Sequence, residues 1–144
     1  MARKRLYRSD SRDVLMDQFS CMLYIDTNEV IDAVKGAVYE SGKNIFSGMN
    51  VSLLVYNNED FDPSRLNKKP YDFIEASKYY VEIVAEDELD EQVMGFQLRV
   101  AALIRQIRSG GRIVTASCDF EDLIISETGW NWTESQPEPP EKAQ

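Results

Sequence analysis

Residues 78–119 read KYYVEIVAEDELDEQVMGFQLRVAALIRQIRSGGRIVTASCD, and the periodicity changes twice along that stretch. Tyr79, Val81, Ile83 and Ala85 alternate with Tyr80, Glu82 and Val84, the period of a strand with one buried face. Val93, Phe96, Val100, Leu103 and Ile107 then recur at three- and four-residue steps, one face of a helix. Arg112 to Cys118 alternates again, with Ile113, Thr115 and Ser117 set against Val114, Ala116 and Cys118. Asp87 and Asp90 are both N-cap candidates, and Glu88, Asp90 and Glu91 put negative charge at the positive end of the helix dipole. Arg99, Arg105 and Arg108 fall towards the other end, and Gly110-Gly111 supplies a left-handed stop. Each of the five stripe residues, once buried, contributes about 1.5–3 kcal/mol of transfer free energy. A strand, a helix made to lie on a sheet, and a second strand form a right-handed β–α–β unit.

The flanking sequence extends this unit in both directions. Phe19, Cys21, Leu23 and Ile25 alternate with Ser20, Met22 and Tyr24 in a first strand. Asp26 with Glu29 three residues on resembles a capping box, with Thr27 as the alternative cap. The helix that follows buries Val30 or Ile31, Val34 and Val38, and Ser41-Gly42 is expected to end it. Met49 to Tyr56 makes another strand, with Val51, Leu53 and Val55 opposite Ser52, Leu54 and Tyr56. Residues 57–77 are rich in Asn, Asp, Pro and Lys; so long a connection is either functional or conceals an element, and Tyr71 to Ile74 is the place for a short strand or helical turn. Past the central unit, Leu123, Ile124, Ile125, Trp130 and Trp132 form an apolar extension expected to pack back on the body.

The expected fold class is α+β: a ferredoxin-like β-α-β-β-α-β order giving a four-stranded antiparallel sheet, two helices on one face and an apolar C-terminal extension. Residues 1–17 read as a flexible basic arm, 18–132 as a single α+β domain, and 133–144, with its prolines and glutamates, as a disordered acidic tail.

Composition excludes several chemistries. The chain has no histidine, which removes His-based nucleophilic catalysis, His-ligated metal sites and imidazole proton shuttles. Its two cysteines, Cys21 and Cys118, lie inside strand patterns and are expected as buried reduced thiols in a cytoplasmic protein, with a disulfide between them as the alternative. Ser109-Gly110-Gly111 matches neither phosphate-binding glycine pattern. No metal and no cofactor is expected. A formal charge of −9 argues against nucleic acid as a partner and favours a basic protein. The basic cluster Arg3, Lys4, Arg5, Arg8 and Arg12 runs against that balance and reads as a solvated arm. No apolar run is long enough to cross a membrane, and no apolar leader argues for export.

Two constellations remain. In the expected topology Glu86-Asp87-Glu88 and the Asp119, Glu121, Asp122 group come to one end of the sheet, where capping and solvation compete with cation binding as their role. The sheet face away from the helices would carry Met22, Tyr24, Leu54, Tyr56, Tyr80 and Val84, too apolar for bare contact with solvent. Its cover is the C-terminal segment with Trp130 and Trp132, a second copy in a homodimer, or another partner or small ligand.

The runs KYYVEIVAEDELDEQ and VAALIRQIRSGGRIVTASCDFEDLI, over residues 78–125 and including CDFED at 118–122, resemble small bacterial immunity-type proteins of polymorphic toxin systems. That resemblance implies a cytoplasmic, non-catalytic protein that binds and blocks a toxin. The leading expectation is accordingly a protein-binding module whose acidic rim, Asp60, Asp62, Asp119, Glu121 and Asp122, meets a basic partner. The alternative is a small ligand-binding protein or enzyme with a pocket among Tyr24, Tyr56, Tyr80 and Trp130.

Overall fold

The computed structural model describes residues 18–140. Along the chain follow β1 (Ser20–Asp26), α1 (Ile31–Ile45), β2 (Val51–Asn57), β3 (Tyr79–Ala85), α2 (Val93–Arg108), β4 (Ile113–Ser117) and α3 (Glu121–Thr128). Short 3-10 turns lie at Pro63–Arg65 and Asp90–Gln92. The strands form one sheet in the order β2-β3-β1-β4, and every neighbouring pair is antiparallel. The fold is therefore α+β, a four-stranded antiparallel sheet with three helices. The basic arm expected over residues 1–17 lies outside the described residues.

Alternation in the sequence becomes two faces in the structure. Leu23 pairs with Val81 and Ala116, Ile25 with Tyr79 and Val114, and Ile83 with Cys21 and Leu53. All but the half-buried Leu53 are buried, and they meet Val34 and Val38 of α1 and the inner stripe of α2. Phe96 sits at the centre of this layer, fully buried, with the rings of Phe19, Phe46 and Phe120 6.2–6.4 Å from its own. Four of the five expected stripe residues, Phe96, Val100, Leu103 and Ile107, are buried, while Val93 is half-buried at the first turn. The buried face of α2 is wider than that stripe and includes Ala101 and Ile104, because α2 packs between α1 and α3. The apolar C-terminal extension supplies α3, whose Ile124 joins the same core. Cys21 and Cys118 are both buried in that layer and are not joined to each other.

Three local expectations are corrected. α1 starts at Ile31 with Val30 as its N-cap and no side-chain cap, so the Asp26–Glu29 capping box does not form. Glu29 is turned instead to Arg112, whose Nε and Nη2 donate to its carboxylate at 2.6 and 3.1 Å. Neither Asp87 nor Asp90 caps α2: the 3-10 turn at Asp90–Gln92 leads straight into the helix, and Gln92 makes no capping bond. α1 does not stop at Ser41-Gly42 but runs on to Ile45. Gly42 is there for proximity, because a Cβ at that position would collide with Leu53 Cδ1 of β2. The stop after α2 does form, with Gly111 at φ +89°.

Candidate functional site

The second face of the sheet is half covered. Tyr24 and Met22 of β1, Tyr80 and Val84 of β3, and Leu54 and Tyr56 of β2 share it, since directly paired residues project on the same side. The β2–β3 connection folds back over its middle. Asn58, buried, donates from its carboxamide to the carbonyls of Ile74 and Ser77 at 2.7 and 2.8 Å. Asp72 accepts from the N–H groups of Ile74 and Glu75, and Ala76 N–H closes a helical turn onto Asp72 C=O. That turn drives Phe73 and Ile74 into the face. Phe73 meets Tyr24 edge-on at 5.3 Å and Trp132 at 5.3 Å, while Trp132 Nε1 donates to Tyr71 C=O at 2.9 Å. Tyr71 donates its phenol proton to Asp26 at 2.8 Å; burial first, and then the Asp26 charge, push that phenol far above its usual range. Tyr24 is left only 7% exposed.

The C-terminal segment also closes the β4 edge. The Asn131 carboxamide accepts from Ala116 N–H at 2.8 Å and donates to Ala116 C=O at 3.0 Å, standing in for a neighbouring strand. Trp130, expected on the open face, stands apart from the tyrosines. Its ring lies 5.5 Å from the Arg108 guanidinium and its Nε1 donates to Gln136 C=O. Among residues expected as a disordered tail, Gln136 thus meets Trp130, and Glu138 accepts from Tyr71 N–H at 2.9 Å.

The β2 side remains open. Leu54 is 44% exposed and Tyr56 38%, and Tyr56 stacks on Tyr80 with ring centres 5.1 Å apart. Asn58 N–H donates to Lys78 C=O and Glu86 N–H to Asn50 C=O, so even-numbered residues of β2 bond to β3. The odd-numbered residues, Leu53, Val55 and Asn57, therefore turn their backbone groups outward. Of these, Val55 N–H reaches the Tyr39 hydroxyl at a long 3.3 Å. The strand reads VSLLVYN and carries no charge, proline or glycine, the usual guards of an exposed edge. Tyr39, itself 40% exposed, adds a ring beside it. What this strip offers is backbone donors and acceptors, one aliphatic side chain and a stacked pair of rings, which is recognition chemistry.

The acidic rim divides between the two ends of the sheet. Strand polarity puts Asp60 and Asp62 beyond Asn57, at the Tyr79 end of β3. Asp119, Glu121 and Asp122 follow β4 at the opposite end, where Ser117 pairs with Met22. Asp62 caps the Pro63–Arg65 turn by accepting from Ser64 Oγ and N–H, and those bonds hold its carboxyl below the usual range. Glu121 accepts from Cys118 N–H at 3.0 Å across the first turn of α3, while Asp60, Asp119 and Asp122 are exposed. No group of three potential metal ligands converges among the described residues.

Sequence reasoning picked out the tyrosines but missed Tyr39 and Asn131, and read Arg108 only as a cation suiting the helix dipole. Tyr39 had a usable signal: it is an aromatic residue just off the Val34/Val38 stripe of α1. Asn131, set between two tryptophans, gave none, because its role depends on the neighbouring strand. No helix among the described residues is long and apolar enough to cross a membrane. No protein-family model, curated protein or solved structure matches this chain.

Proposed function

We propose that this chain is a non-catalytic protein-binding module that accepts an extended segment of a partner as a strand beside β2. The observation that carries the reading is the contrast between its two sheet edges. β4 is closed by Asn131, whereas β2 is uncharged, is paired on one side only, and is flanked by the exposed Leu54 and Tyr56. Added strands bind through main-chain bonds and are selected by pockets for alternate side chains. Each such bond is worth about 0.5–1.5 kcal/mol net. Glu59 and Asp60, exposed just past the end of β2, favour a partner with basic residues flanking its apolar segment.

The architecture is ferredoxin-like with an apolar extension, supported by β1 and β3 being central and by the helices that connect the strands. The partner is a basic toxin and the protein its cytoplasmic antidote, supported by the resemblance over residues 78–125 and by the net charge of −9. Catalysis is no part of it.

Co-expression with the proteins encoded beside it tests the proposal. A complex should form and should be lost in Leu54→Lys/Tyr56→Lys, while Asp119→Lys/Asp122→Lys, at the far end of the sheet, leaves it intact. The reverse pattern would return the site to the acidic rim, and a complex indifferent to both pairs would end the edge reading.

A further inference from the structure

We infer that the cavity between the C-terminal end of α2, the start of β4 and residues 128–140 binds a small oxyanion ligand, a carboxylate or phosphate ester carried on a flat apolar body. The cavity measures about 560 Å³, within the ordinary range for small-molecule sites. Arg105, Arg108 and Arg112 line it together with Trp130, Ile113 and the Pro139-Pro140 pair.

The charge balance around it is uneven. Arg112 is matched by Glu29, at 2.6 Å. Arg105, half exposed at the rim, has Glu127 at 3.9 Å and its carbonyl at 3.0 Å. Arg108 forms no ion pair among the described residues. Its guanidinium is held by dipoles alone: Nη1 donates to Thr128 Oγ1, and Nη2 to the carbonyls of Val114 and Trp130. Burial lowers its pKa to about 10, so it remains charged at neutral pH. Arg108 is half-buried, where a charge is costlier to leave unmatched than in open solvent, and its five guanidinium N–H groups leave it with donors to spare. The helix end supplies a partial compensation of about half a negative charge, so part of the Arg108 charge stays unmatched while Arg105 and Arg112 have Glu127 and Glu29. In a protein with a net charge of −9, a wall that sets a guanidinium without a carboxylate partner beside an indole and two prolines suits an anion with an apolar body.

This inference is independent of the β2 edge. It is tested on the full chain by following the arginine Nε–Hε resonances while adding benzoate, inorganic phosphate or neutral benzamide. Saturable shifts at Arg108 with benzoate or phosphate are expected, and whichever saturates at the lower concentration identifies the headgroup. Benzamide should leave Arg108 unmoved. Arg105→Gln, at the exposed rim and therefore safe for folding, should weaken the anion about tenfold, the loss of one charge-assisted bond. Shifts that never saturate, benzamide binding as well as benzoate, or an unchanged affinity in Arg105→Gln would each overturn the assignment.

Discussion

Asn131 replaces a strand for one residue of β4, accepting from the Ala116 N–H and donating to its carbonyl while 2% exposed. Asn131→Asp keeps the shape, removes the donor and sets a carboxylate against a carbonyl oxygen. It is expected to lower unfolding free energy by about 3 kcal/mol at neutral pH. The deficit should shrink in acid as the new carboxyl takes up a proton, and urea titrations at two pH values measure both effects. Glu29 gives the opposite pH sign. The Arg112 hydrogen bonds hold its carboxyl below the ordinary value of 4.5. A lowered folded pKa contributes stability that is present above 4.5 and is lost as pH falls through the folded value. The Glu29 side chain is 38% exposed, so solvent screening keeps this contribution to about 0.5–1 kcal/mol. Arg112→Gln should remove it at neutral pH and flatten the fall in stability that otherwise sets in as pH drops below 4.5.

At the scale of elements, α1 carries two glycines with opposite consequences. Gly36 faces open space in a helix interior, whereas a Cβ at Gly42 would run into Leu53 of β2. Gly36→Ala is expected to stabilise by about 0.5–1 kcal/mol through the unfolded chain and helix propensity. Gly42→Ala should forfeit that gain and destabilise by about 1–3 kcal/mol, because Leu53, half-buried against the core layer, must be displaced. Thermal unfolding of the two variants side by side separates propensity from packing; equal gains would mean that α1 does not approach β2 closely. The same helix shows what the sequence made legible. Its period and strand neighbours could be read from Val34 and Val38, because burial on one face repeats in sequence. Its ends could not: Gly42 looks like a stop until the opposing Leu53 is known, and Glu29 looks like a cap until Arg112, far along the chain, is beside it. Phe73 and Ile74 were visible only as an apolar break in a polar loop. Which strand face they cover depends on Asn58 and Asp72 holding the turn, contacts that carry no sequence period.

At the scale of the whole molecule, cover is distributed unequally over the sheet. One face is closed by three helices, the middle of the other by Phe73 and Trp132, and the β4 edge by Asn131. β2 is left with Leu54 and Tyr56 outward and its odd-numbered backbone groups turned from the sheet. The acidic residues expected as one rim are separated by the length of the strands, since Asp60 and Asp119 follow strands that run to opposite ends of the sheet. Sequence alternation thus identified the residues of the open face, but not the half of it that remains open, which is decided by a loop and a C-terminal segment. Amide hydrogen exchange, on the chain alone and in complex with its co-expressed partner, tests strand addition most directly. The Leu53 and Asn57 N–H groups are expected to exchange fast when free and to become strongly protected on binding, while Ala116 is slow in both states. Unchanged exchange at Leu53 and Asn57, with new protection confined to the Asp119–Asp122 end, would contradict strand addition.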